Sequence, residues 1–437
     1  MVFAEEKSDF KLSGFILKNI KINTEHLCAI QSTLRKDVLN PGVAVIESIF
    51  FPFVLSVVLI GALRPLASHL GLVDAPCIRK RHEGVVPLIG GLAVYSALLL
   101  LSFHAAFWQA NHGAWLIALG LPLLLMGMAD DRWDLSAKHR LMLELVCAVF
   151  AVWYCGVRIS DIGVLVPGIG GTLVWLAVPL TVVGIVGGIN AMNMTDGVDG
   201  LAGGLAVLTL SALAVAAYPM HSNVALQLAS MVAALVGFLV FNSRFFGRKR
   251  AAVFMGDGGS IFIGFAIVWY LVTLSQGAGR VITPVSALWL FAVPLLDTVT
   301  IMFRRIARGN SPFAADREHL HHILMLAGFG VNRAVLIILS IHGLCILIGM
   351  GSIYYQIPDW VMFWLFLGLF GVYYGVMTHA WRWMKRIKSF REWAGFEDRR
   401  REATGEAGRS PRSGRRQASA QFQGNNRRKR TSRRTEQ

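Results

Sequence analysis

Apolar runs long enough to cross a bilayer recur along most of this chain, and that constrains its fold more than any other feature. About eleven are legible: 46–69, 88–108, 114–129, 141–157, 172–189, 201–217, 223–241, 259–275, 282–303, 333–355 and 360–383. A span needs roughly 20 apolar residues. In lipid only a helix or a closed barrel satisfies its own backbone. Runs of this length predict an all-α, polytopic transmembrane helical bundle of about 11 spans. A soluble domain is excluded, since 55% of the residues are hydrophobic, 16% are charged and the mean hydropathy is +0.55. No run reads as a cleavable signal peptide, because the first starts late and ends without a small-residue cleavage pattern.

The polar remainder divides the chain into a polar extension over 1–45, a membrane-embedded domain over 46–383 and a basic tail over 384–437. Net charge is +16, and residues 385–437 carry +11 of it. The tail is rich in Arg, Ser and Gly and is expected to be disordered, adhering to anionic membrane lipid. Nucleic acid is not expected as a partner, and nothing in the sequence specifies an oligomeric state. Five cysteines (28, 77, 147, 155 and 345) lack metal or redox spacing and read as packing residues.

Basic residues mark one set of loops: Arg79–Arg81; Arg132, Lys138 and Arg140; Arg244 and Arg248–Arg250; Arg304, Arg305 and Arg308. The alternate loops hold only Arg158 and Arg280. The positive-inside rule makes the first set cytoplasmic. Val157–Gly171, Gly-rich and mostly apolar, reads as a small hairpin at the outer surface.

Every stretch rich in chemistry falls on the cytoplasmic side. Asn190–Gly204 presents Asn190, Asn193, Asp196 and Asp199 at steps of three, among Gly197, Gly200, Gly203 and Gly204. That step aligns side chains on a helix, but the glycines weaken one and admit a ligand close to the backbone, so a membrane-edge loop is expected. Asp130 and Asp131 follow an apolar run with Arg132 as counter-ion. Adjacent carboxylates are costly in a cap and useful for a metal or a general base, and a helix-end loop with Arg132 as counter-ion is an equal alternative. Asp257 sits among Gly256, Gly258 and Gly259, where phosphate or metal can approach; alone, this is also ordinary turn chemistry. Val73–Gly91 carries Lys80 and His82 in a basic cluster suited to phosphate or to lipid head groups. Arg304–His322 gathers His319, His321 and His322. Three histidines suggest either zinc or donation to a pyrophosphate. Asp297 lies within an apolar run, either facing the site or satisfied within the helix packing.

In order and spacing these blocks resemble the polyprenyl-phosphate N-acetylhexosamine-1-phosphate transferases over most of residues 46–355. The matching stretches are Asp130-Asp131, Asn193 to Leu201, Met255 to Ser260, and Arg305 to His322. The last is more like the WecA-like branch, which starts O-antigen and related glycans, than the peptidoglycan (MraY) branch. The resemblance implies a bacterial inner-membrane enzyme with a cytoplasmic active site. It would move N-acetylglucosamine 1-phosphate from UDP-GlcNAc to undecaprenyl phosphate and release UMP. It implies magnesium, with manganese as a substitute, held by Asn193 and Asp257. It gives Asp130 and Asp131 a catalytic role and Asp199 the uracil edge. Lys80, His82, His319, His321 and His322 would take pyrophosphate or sugar, and Asn190, Asp196 and Arg305 complete the substrate-binding set.

Two rivals stand beside this reading. One is the same reaction on another UDP-N-acetylhexosamine or on UDP-MurNAc-pentapeptide. The other is a polyprenyl-lipid transporter, which needs access from both faces and a midplane site, whereas the polar blocks here gather at one face.

Overall fold

A computed structural model describes residues 41–74, 84–105, 108, 113–245, 248–309, 311 and 319–379. Lys80, His82, the N-terminal 40 residues and the basic tail lie outside the described residues. Apart from Leu326–Gly328, the described residues belong to one compact unit.

Every apolar run contains a helix. In chain order these are α1 (Pro41–Leu63), the short α2 (Ala67–Leu70), α3 (Gly90–His104), α4 (Gly113–Trp133), α5 (Ala137–Tyr154), α6 (Ala177–Thr195), α7 (Leu201–Ala217), α8 (Ser222–Asn242), α9 (Asp257–Ser275), α10 (Pro284–Leu290), α11 (Ala292–Ala307), α12 (Leu320–Leu326), α13 (Val331–Tyr354) and α14 (Asp359–Thr378). Seven of the described helices are long and apolar enough to cross a bilayer, and α10 with α11 makes a bent eighth. Helices α3 and α7 are shorter, and α5 carries Lys138, His139, Arg140 and Glu144. The eleven-span expectation requires these three to cross as well.

The core is built on α9, where every residue but Asp257 and Thr273 is buried. A helix apolar all round belongs inside a bundle, and α3, α4, α6 and α7 pack around this one. Close approach comes from glycine. A Cβ on Gly91 would stand 2.1 Å from Gly259 Cα, and one on Gly127 would stand 2.3 Å from Gly258 Cα. The start of α3, the end of α4 and the start of α9 therefore meet backbone to backbone, as small residues permit between apolar helices. The outer helices α1 and α14 bury little of themselves and present apolar faces outward.

One run departs from a single span. Residues 282–303 form α10 and α11, bent by 85° at Phe291. Pro294 is the cause: it has no N–H for the Leu290 carbonyl four residues back, and its ring crowds that carbonyl. The freed Leu290 oxygen accepts instead from Thr209 Oγ1 at 2.9 Å.

Two small extended features interrupt the helices. Strands β1 (Val73–Asp74) and β2 (Val86–Pro87) pair antiparallel, Val73 opposite Pro87. A hairpin closes through an Asp161–Thr172 bridge and is tied to the end of α9 by Gln276, whose Oε1 accepts from Ser160 N and Asp161 N. The Gly-rich segment thus forms the expected hairpin. Cys147, Cys155 and Cys345 are buried and unpaired by disulfide, in keeping with packing residues.

Candidate active site

Four helix ends converge at one edge of the bundle. Asp130 and Asp131 ride on the last turns of α4, one turn beyond Gly127. Since Gly127 lies against Gly258, the two carboxylates are brought to Asp257 at the start of α9. Asp131 Oδ2 accepts from the Asp257 backbone N–H at 2.9 Å, satisfying one of the orphan donors of that helix end. The Gly256 φ of +77° suits glycine alone, and a Cβ there would fall 2.7 Å from Asp131 Oδ2.

Helix α6 supplies the next groups. It runs through Thr195, and α7 begins at Leu201. The expected loop is thereby shortened to Asp196–Gly200, turned by Gly200 at φ +82°. Asn190 and Asn193 are therefore helical and diverge. Asn193 Nδ2 donates to Asp257 Oδ1 at 3.0 Å and to Ser260 Oγ at 2.9 Å. Asn190 instead faces α5, donating to Glu144 Oε2 and to Val186 O. Asn190 thus joins α5 to α6 rather than the carboxylate group.

Asp199 is held by two donors, Arg244 Nε at 2.6 Å and Ala251 N at 2.9 Å. Among the described residues no donor reaches its other oxygen. Asp196 follows the end of α6. Burial, with Asp257 and Asp199 nearby, pushes its carboxyl up to about 7. Arg140, from α5, binds Asp130 Oδ2 and reaches Asp257 Oδ2 at 3.5 Å. Five aspartates thus share one edge with Arg140 and Arg244, an arrangement that favours binding a further cation.

The histidines form a second group that touches the first. Ring centroids of His321 and His322 are 4.2 Å apart, and those of His319 and His321 are 5.5 Å apart. Their short helix α12 is seated on α7 and α13 through Leu320 and Leu324 against Leu201, Leu205 and Val335. Asp297, buried on α11, fixes His319. It accepts from His319 Nδ1 at 2.8 Å, from Leu320 N at 3.1 Å and from Tyr373 OH at 2.8 Å. Asp297 is therefore satisfied within the packing, and it orients His319. A Cβ on Gly197 would meet His321 Nε2 at 2.7 Å, so His321 reaches the Asp196–Gly200 turn. That nitrogen is buried with no hydrogen-bond partner among the described residues. Burial, with His322 and His319 beside it, pushes this imidazole down to about 3, so His321 is neutral and offers a single donor. Arg305 is buried on α11.

Comparison with known proteins then places the chain. Residues 114–275, from α4 to the end of α9, match the model of Glycosyl transferase family 4. An undecaprenyl-phosphate alpha-N-acetylglucosaminyl 1-phosphate transferase of Salmonella typhi is 36% identical over 341 residues, 77% of this chain and 92% of that protein. The Escherichia coli K12 protein of the same name is 36% identical over 330 residues, 74% of this chain and 89% of its own. That of Haemophilus influenzae is 35% identical over 347 residues, 78% and 97% respectively.

The chain belongs to glycosyl transferase family 4.

In this family 4 glycosyl transferase, Asn193 and Asp257 fit a hard cation. Their polar atoms are 3.0 Å apart, and turning the Asn193 amide presents its oxygen in place of its nitrogen. Among the described residues no three of His, Cys, Asp and Glu form a metal cage. Magnesium typically takes one or two protein carboxylates and fills the rest with substrate phosphates and water. Sequence reasoning missed Glu144, Tyr373 and Asn242, whose Oδ1 accepts from Gly200 N at 2.8 Å and so holds the Asp196–Gly200 turn, and it read Arg140 and Arg244 only as topology signals. Glu144 carried a signal of its own, as a lone carboxylate inside an apolar run. Tyr373 carried none, for nothing in its neighbourhood distinguishes it from an interfacial aromatic.

Proposed function

We infer that this transferase moves N-acetylglucosamine 1-phosphate from UDP-GlcNAc to undecaprenyl phosphate. It would work at the cytoplasmic face of the bacterial inner membrane, as the first membrane step of O-antigen or a related glycan. The observation that carries the reading is the convergence of Asp130, Asp131, Asn193, Asp196, Asp199 and Asp257 from four helix ends, with His321 abutting Gly197 on the same edge. The names of the relatives support the donor and the acceptor. The basic loops support the cytoplasmic side.

An oxygen of the lipid phosphate attacks the sugar-bearing phosphorus of the donor. A phosphorus–oxygen bond forms there, the bond to the bridging oxygen breaks, and UMP leaves with that oxygen. Both reactants are anions, so catalysis consists mainly of positioning and of charge neutralisation. Asp257 and Asn193 would hold magnesium, which offsets charge on the transferring phosphoryl group. Asp131 fixes Asp257 by capping its helix. Asp130, gripped by Arg140, orients that pair and can accept a proton, although a phosphate monoester is largely ionised at neutral pH. Asp199 keeps one oxygen for the uracil edge. His319, oriented by Asp297, and the neutral donor His321 take diphosphate or sugar oxygens. The carboxylate cluster itself repels a diphosphate, which makes the cation a condition for donor binding.

The test is an assay of membranes carrying the full chain, with undecaprenyl phosphate and a panel of UDP-sugars, following UMP. Release with UDP-GlcNAc is expected. Preference for another UDP-N-acetylhexosamine reassigns the donor. No release with any donor, together with movement of polyprenyl lipid across the bilayer, overturns the enzyme reading in favour of a transporter.

A further inference from the structure

A second charged feature lies outside the carboxylate and histidine groups. A cavity of about 330 Å³ is lined by Arg64, Val85, Val86, Arg248, Lys249, Arg250, Ala251 and Ala252. Its cations come from two distant segments, the end of α1 and the connection between α8 and α9, and β2 forms the remaining wall. No carboxylate among the described residues lines it. Basic residues at span ends usually lie separately on a solvated surface, and here the fold gathers them around one concavity. We propose that this cavity binds the phosphate head group of an anionic membrane phospholipid.

Two observations favour a lipid over a soluble anion. Arg64 directly follows α1, which is apolar enough to span a bilayer and is mostly unburied. Phe50, Phe51 and Val58 are exposed on that helix, and Leu66 and Val85 are exposed beside the cavity. Cations ringed by exposed apolar side chains suit an amphiphile, with the head group among the charges and the chains along α1. Helix α1 is also firmly placed: a Cβ on Gly237 of α8 would stand 2.8 Å from Phe53 O, so the two helices run in close contact.

The cavity wall is shared with the candidate active site. Ala251 lines the cavity and donates its N–H to Asp199 Oδ2. The next residue, Ala252, donates to Phe241 O, and Arg248 stacks on the Phe241 ring. The segment from Arg248 to Ala252 is thus held between a cation cavity and the carboxylate assigned to the donor. A bound head group would steady that segment, and Asp199 with it.

The experiment uses the full chain in phosphatidylcholine nanodiscs containing a photoreactive phosphatidylglycerol, with the labelled peptides mapped. Labelling should concentrate on the segments around Arg64 and around Arg248–Ala252. It should fall by about tenfold or more in the triple variant Arg64→Gln, Arg248→Gln, Lys249→Gln, and excess inorganic phosphate should not compete. Arg64→Gln alone leaves the loop intact and should lower labelling by itself. Equal labelling of the variants, or label spread evenly over the spans, overturns the site. Full competition by inorganic phosphate overturns the lipid and leaves a soluble-anion site. A second arm rests on the proposed reaction: replacing part of the phosphatidylcholine by phosphatidylglycerol should lower the donor KM by about threefold in the wild type and leave the triple variant unmoved. An unmoved wild type overturns the coupling to Asp199. Labelling as expected without UMP release from any donor would keep the head-group site and count against the reaction.

Discussion

The carboxylate edge and the histidine cluster are positioned by different physics. Asp130, Asp131 and Asp257 are placed by backbone contact, Gly127 on Gly258 and Gly91 on Gly259. Nothing there can move without the core moving. His319 is placed by a side-chain hydrogen bond to Asp297, itself held by Tyr373, just ahead of a helix of only seven residues. One half of the site is as rigid as the bundle, and the other depends on a buried polar network. Close packing transmits any added volume as strain, whereas a polar network loses orientation before it loses structure.

The largest effect is expected at the centre of the rigid half. Asp257→Asn should lower UMP release by about a thousandfold or more at limiting magnesium, because the charge facing the transferring phosphoryl group is lost. Wild-type turnover would show that the metal is held elsewhere, with Asp130 and Asp131 next in line. Gly127→Val tests the packing itself. Overpacking costs about 1–3 kcal/mol and more against backbone, so activity and thermal stability should fall together. Retained stability with lost activity would mean that the contact is slack.

Asp297→Asn is the matching change in the histidine half. The amide still fills the space but reverses one hydrogen bond and removes the charge beside His319. Turnover should fall by about tenfold to a hundredfold, with a melting shift of only a few degrees, on the order of 1–3 kcal/mol. If this variant unfolds as readily as Gly127→Val, the contrast between the two halves disappears.

A smaller effect concerns pH. The Asp196 carboxyl is raised from 3.8 to about 7 by burial and by Asp257 and Asp199. The folded state therefore keeps a proton that the unfolded chain loses earlier. This contribution to stability is complete below pH 3.8 and is lost as pH rises through about 7. Asp196→Asn removes the dependence and should raise the melting temperature at pH 8 by a few degrees, about 2–4 °C, with no gain near pH 4. An equal gain at both pH values would mean that Asp196 is already ionised throughout. The smallest effect is expected outside both halves: removing residues 400–437 should change turnover by less than about twofold, since a basic tail adds membrane adhesion rather than chemistry. Loss of most activity in inserted protein would give the tail a catalytic part.

Hydropathy is a local property, and so the helical class and the position of the apolar helices were legible in the sequence, whereas the 85° break within 282–303 was not read from it. The chemical residues were legible too, because uncompensated Asp, Asn and His between apolar runs have few structural explanations. What residues meet across the bundle is not local. Arg140 reaches Asp257 across 117 positions, Asn190 reaches Glu144 across 46, and Tyr373 reaches Asp297 across 76. No periodicity marks those pairs, since each is made by two helices packing at one angle and depth. The sequence by itself determined a helical membrane enzyme and singled out the candidate residues of its chemistry. Only the tertiary structure decided which of them stand together: Asn193 turns to Asp257 and the carboxylate edge and Asn190 away from it to Glu144, because one helical turn carries them to different neighbours.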